Sequence, residues 1–161
     1  MIKRIFTFVL IATISFTVTS AIARQGFDKN AFFSAMASSQ VSSMDAQLNA
    51  VKNISGSDRE AFEGAMLMRK AGMLSVPAKK LAMFKQGHKK LEAAIAKNPG
   101  NAEYRFLRLI VQENAPRSLG YYKNISQDSR MVKDYYKSLS AATQNNVASY
   151  SKKSKALSGA F

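Results

Sequence analysis

From Lys29 to about Leu139, large apolar residues return every third or fourth position, and no stretch alternates strictly enough to read as a strand. The pattern predicts a first helix over Lys29 to Ser38 with Phe32, Phe33 and Met36 on its apolar side, and a second over Ser43 to Lys52 with Met44, Leu48 and Val51 inward. In "SGSDREAFEGAMLMRKAGML", Ser57 and Glu60 have the spacing of a capping box, so a third helix is predicted from there to about Leu74. Ala61, Ala65, Met68 and Gly72 form a stripe of mostly small residues along it, with Phe62, Met66 and Met73 beside them. Small residues at that spacing let another helix approach closely.

"SVP" at 75–77 breaks this helix and sets a proline in the first turn of a fourth, over Ala78 to Lys97, whose Leu81, Phe84, Leu91 and Ile95 share one face. "NPGN" at 98–101 opens a fifth helix, closed by Pro116, and its middle is apolar on nearly every side. Such a helix belongs at the centre of a bundle. "RSLGYYKN" reads as a loop, and Asn124 or Ser126 is placed to cap a sixth helix through about Leu139 with Met131, Val132, Tyr135 and Leu139 inward. The remaining residues are weakly amphipathic, and the end from about 152 is expected to fray. The fold class is therefore all-α, a bundle or short solenoid-like array of about six or seven helices.

The N-terminal segment changes where this bundle is expected to reside. Lys3 and Arg4 precede an uncharged run from Ile5 to Ala23 that ends in Ala21-Ile22-Ala23, the form of a secretory signal peptide. Cleavage is expected between Ala23 and Arg24, leaving residues 24–161 as one basic helical domain of the periplasm or cell envelope. An uncleaved anchor is the alternative, but six Ser and Thr residues between Thr7 and Ser20 make the run a poor membrane span. The chain has no cysteine, which excludes disulfides, thiolate metal sites, thiol nucleophiles and a lipid-modified cysteine.

The whole chain carries 24 Lys and Arg against 10 Asp and Glu; without Lys3 and Arg4 the remainder holds 22 against 10, a formal +12. A basic surface favours anionic lipid, cell-wall polymer or nucleic acid, and export disfavours the last. On the fourth helix Lys79, Lys80, Lys85, Lys89, Lys90 and Lys97 cover the side opposite the apolar face and form a candidate basic face.

Catalytic signatures are absent: there is no phosphate loop, no dinucleotide fingerprint and no nucleophile elbow. The single histidine, His88, lies in line with Leu81, Phe84, Leu91 and Ile95 and reads as a hydrogen-bonded core residue rather than a ligand. No cofactor or metal is expected. Glu60 and Glu63 read as a solvated first turn favoured by the helix dipole.

The anomaly is on the fifth helix, where Arg105, Arg108 and Gln112 form one polar stripe among Tyr104, Phe106, Leu107, Leu109, Ile110 and Val111. A buried guanidinium needs an acid, and the candidates are Asp128, Glu60 and Glu63. One reading is a buried pairing that fixes the following loop. The other is a polar recess of Arg105, Arg108, Gln112, Asn114, Tyr121 and Asp128 that holds a carboxylate or phosphate.

"LEAAIAKNPGNAEYRF" resembles the junction between tetratricopeptide repeats, with Gly87, Leu91, Ala94 and Pro99 at its small, large, small and proline positions. Arg105, Arg108 and Leu109 stand where the next helix of such a repeat has an aromatic, a leucine and a small residue, and Pro77 breaks the preceding helix late. Over residues 60–132, "AFEGAMLMRKA", "KLAMFKQGHKKLEAAIAKNPGNAEYRFLRLIVQENAP" and "LGYYKNISQD" together resemble an uncharacterised family of small exported tetratricopeptide-like proteins of Gram-negative bacteria. The resemblance implies a helical fold and export, with no activity or ligand to carry over. The expectation is a noncatalytic interaction module for an envelope protein or peptide, with peripheral binding to anionic membrane or cell-wall polymer as the alternative.

Overall fold

In the computed structural model, which describes residues 27–161, the apolar periodicity resolves into seven α-helices and no strand among the described residues. They are α1 (Lys29–Ala37), α2 (Val41–Ala50), α3 (Gly56–Ala71), α4 (Pro77–Lys97), α5 (Ala102–Asn114), α6 (Ile125–Asp134) and α7 (Ala141–Ser151). The expected leader at 1–23 and its cleavage point lie outside the described residues. Among the described residues no helix is long and apolar enough to cross a membrane.

Local chemistry sets several of the starts. Asp28 accepts from the backbone N–H groups of Asn30 and Ala31 at 2.9 and 3.0 Å, and Asn101 does the same for Glu103 and Tyr104 on α5. Pro77 occupies the first turn of α4, where its missing N–H costs nothing. The expected capping box on α3 does not form: the helix begins at Gly56 behind Ser55, with no side-chain cap, and Glu60 instead accepts from Lys97 at 2.9 Å. Nor does a side chain cap α6.

α3 and α4 form the most extensive helix pair, and Glu60–Lys97, Glu63–Lys90 and Gly64–Gly87 mark an antiparallel register. Their backbones touch at two glycines: a Cβ on Gly64 would lie 2.6 Å from Leu91 N, and one on Gly87 would lie 2.5 Å from Gly64 O. The close approach therefore runs through Gly64, beside the predicted stripe, and Gly72 at the end of that stripe is exposed.

Against this pair lies α5, of which Ala102 and every residue from Tyr104 to Gln112 are buried. It is contacted by α3, α4 and α6, by Phe33 of α1 through a ring contact at 5.4 Å and by Tyr150 of α7 through another at 5.8 Å. Phe62, Met66, Phe84, Leu91, Ile95, Leu107 and Ile110 share one core, as expected. Phe27, Phe32 and Phe62 pack ring against ring at its α1 end, an arrangement that adds to area burial.

Three expectations are corrected by packing. Leu81 is 43% exposed and lines a groove with Ala71, Gly72 and Met73 at the end of α3. Tyr135, expected inward, is 52% exposed because α6 stops at Asp134 and passes into a 3-10 turn at Tyr136–Ser138. The chain beyond 152 does not fray: Leu157 is fully buried, and Glu113 of α5 accepts from Ser154 Oγ at 2.7 Å and from the Ala156 N–H at 3.1 Å.

Candidate functional site

The polar stripe of α5 meets α6 and α4. Arg108 donates from Nε to Asp128 Oδ2 and from Nη2 to Asp128 Oδ1, both at 2.7 Å, and from Nη1 to Glu92 Oε2 at 2.8 Å. This is the fork geometry that suits arginine to a carboxylate. Arg105 reaches Asp128 Oδ1 at 3.4 Å and spends its remaining donors on Pro99 O at 2.9 and 3.3 Å, which anchors the 98–101 turn. Glu92 in turn accepts from the Tyr121 hydroxyl at 2.6 Å, and His88 packs its ring edge-on to Tyr121 at 4.8 Å. The His88 ring, expected to be hydrogen-bonded, is instead held by ring contacts; among the described residues its side chain makes no hydrogen bond.

Burial would lower the basicity of Arg108, but the hydrogen bond and charge of Asp128, with Glu92 behind them, raise it. Burial first, then the charge and hydrogen bond of Glu92, push the Tyr121 phenol far above its usual range. The structure brings Arg105, Arg108, Asp128 and Tyr121 together, and Glu92, which the sequence reading did not include, joins them. Asn114 lies apart, exposed, donating to Ile110 O at 2.7 Å and to the Tyr150 hydroxyl at 3.0 Å. Both guanidiniums are committed to protein acceptors, so this cluster fixes α4, α5 and α6 to one another.

Glu60 and Glu63, considered as arginine partners, pair with Lys97 and Lys90 across the α3–α4 hairpin. Lys79, Lys80, Lys85 and Lys89 remain exposed, and no ion pair engages them among the described residues. Among the described residues no group of three or more His, Asp or Glu side chains could hold a metal ion.

A more apolar opportunity for a ligand is a groove of about 720 Å³ with walls of Phe33, Met36, Met68, Phe84, Phe106 and Ile110. Leu81 and Leu119 stand half-exposed at its mouth, and Lys80, Arg69 and Lys153 are on its rim. Its volume is in the range of pockets that bury a small ligand or several side chains, roughly 300 to 1,000 Å³. Arg69 is fixed there by donating to Met36 O at 2.7 Å and to Ser38 O. Sequence reasoning missed this groove because it placed Leu81 in the core.

Comparison with known protein families, with curated proteins and with solved structures finds no match to this chain.

Proposed function

We propose that this protein is an exported, noncatalytic helical binding module of the cell envelope that takes an apolar segment of a protein or peptide into the groove between α1, α3, α4 and α5. The observation that carries the reading is the groove itself, an apolar recess with unpaired Leu81 and Leu119 at its mouth. Met36, Met68 and Met73 line it, and flexible thioether side chains adapt to apolar partners of varied shape. The cationic rim selects segments that carry acidic residues beside the apolar ones. Export rests on the charged, apolar and small-residue order of residues 1–23, and N-terminal sequencing of the exported protein should begin at Arg24.

Selection of a displayed peptide library on residues 24–161 tests the groove. Apolar peptides with acidic flanks should be enriched and should be lost on Leu81→Glu, a change at an exposed position that leaves the core intact. No enrichment, or enrichment that survives Leu81→Glu, overturns the reading. A second reading, peripheral attachment to anionic lipid or wall polymer, draws on the exposed, unpaired Lys79, Lys80, Lys85 and Lys89 of α4.

A further inference from the structure

Behind the groove, on the side of α5 that faces α6, lies a second cleft of about 980 Å³ that shares Asn114, Ala115, Tyr150 and Lys153 with the first. Its inner end is Gln112, 3% exposed, and among the described residues neither Nε2 nor Oε1 of that side chain has a hydrogen-bond partner. A buried amide left unpaired on both atoms lowers the stability of the fold. Glutamine's terminal torsion has a broad minimum, so which of its two polar atoms faces the cleft is adjusted at little cost. Arg117, Arg130, Lys133 and Lys155 surround the opening, all exposed, and no ion pair engages them among the described residues. The carboxylate on the wall, Glu113, is turned to Ser154 and Ala156.

These features ask for a ligand with a negative charge next to a group that both donates and accepts. A peptide amide matches a glutamine amide in that way, N–H to Oε1 and C=O to Nε2, and a free carboxylate matches the cations. We propose that the cleft is a subsite for the carboxyl terminus of a bound peptide, with Gln112 pairing the last peptide amide and Arg130, Lys133 and Lys155 holding the carboxylate. The subsite deepens the peptide-binding reading and rests on it, because the two recesses meet at Asn114 and Tyr150 and one chain can run from the groove into the cleft.

The test is a titration of isotope-labelled residues 24–161 with N-acetyl-alanyl-alanine and, separately, with its C-terminal amide, followed by nuclear magnetic resonance. The free acid should shift the Gln112 side-chain amide and the backbone signals of Ser129 and Arg130 saturably. The amidated probe and the Gln112→Leu variant should each bind about tenfold more weakly, the loss of one good polar contact. Replacing an unpartnered buried amide with an apolar group of similar size preserves folding, and the exposed Arg130→Gln gives an independent loss of affinity. Equal binding of acid and amide, unchanged binding by Gln112→Leu, or inorganic phosphate binding as well as the peptide acid each overturns the proposal. The probe is too small to fill the apolar groove, so failure here leaves the groove to its own test with Leu81→Glu.

Discussion

Replacing Arg108 with alanine probes the contact on which the centre of the bundle depends. The substitution removes both 2.7 Å bonds to Asp128, a residue with no exposed surface, and leaves its Oδ2 with no donor. Arg105 stays 3.4 Å from Oδ1 and compensates only in part. Glu92 also loses its arginine, but its side chain is 31% exposed and water takes over. Breaking a buried pair from one side costs about 3 to 5 kcal/mol, and the residual Arg105 contact places the expectation at the lower end, about 3 kcal/mol. For a domain of this size that corresponds to a fall of roughly 10 to 15 °C in melting temperature. Thermal and urea unfolding of residues 24–161, followed by far-ultraviolet circular dichroism, measures it. The paired substitution Arg108→Leu with Asp128→Leu should cost less than the two single changes added together, since no carboxylate is then stranded opposite a missing arginine. An unchanged melting temperature for Arg108→Ala would mean that the guanidinium is solvated and the buried network does not exist.

Gly87→Ala, which would ordinarily stabilise a helix by up to about 1 kcal/mol, should instead destabilise by about 1 to 3 kcal/mol, because the new Cβ meets Gly64 O at 2.5 Å; an equilibrium urea curve shifted to higher midpoint would refute the close crossing. Tyr104, Tyr121 and Tyr150 all have pKa values raised, chiefly by burial, so the folded state favours their neutral form. That contribution is complete below the ordinary tyrosine value of about 10 and is lost as pH rises beyond it, so stability should fall steeply above that pH while these phenols resist ionisation; phenolate absorbance showing all tyrosines titrating near 10 in the folded chain would contradict it. Replacing Lys79, Lys80, Lys85 and Lys89 with glutamine should leave helicity unchanged and abolish any retention on anionic vesicles, each lysine contributing about 1 kcal/mol near such a surface. Because Phe84, Leu91 and Ile95 are buried, wild-type retention that survives molar salt would contradict a purely electrostatic attachment.

How far the sequence could be read differed from element to element for physical reasons. Helix positions followed from periodicity and from Pro77, Pro99 and Pro116, which act locally. The capping box failed although its spacing was right, because Glu60 found Lys97 across the hairpin, a partner that no local rule supplies. The segment after 152 carried too weak a pattern to be placed; Glu113, with no counterpart nearby in sequence, secures it. Asp128 was identifiable as a candidate partner of the two arginines, while Glu92 was overlooked on a helix read for its apolar face and its lysines. Its signal was present, since it is the one acidic residue in α4.

The stripe Arg105, Arg108, Gln112 reads as one unit by spacing, and packing divides it. Asp128 lies opposite its first two members, and its carboxylate with Glu92 and Pro99 O accounts for their donors. Gln112 is one turn further along and, among the described residues, makes no hydrogen bond to that carboxylate. A polar side chain that served the fold alone would be cheaper as leucine there, since the position is 3% exposed and Leu109, Ile110 and Val111 beside it are buried. The unmet donor and acceptor of Gln112 are thus the feature of α5 that stability does not explain, and they line the cleft whose opening is basic. Arg105 and Arg108, which first drew attention to this helix, are consumed in holding it; the capacity to recognise a ligand lies with the neighbour they leave unpaired.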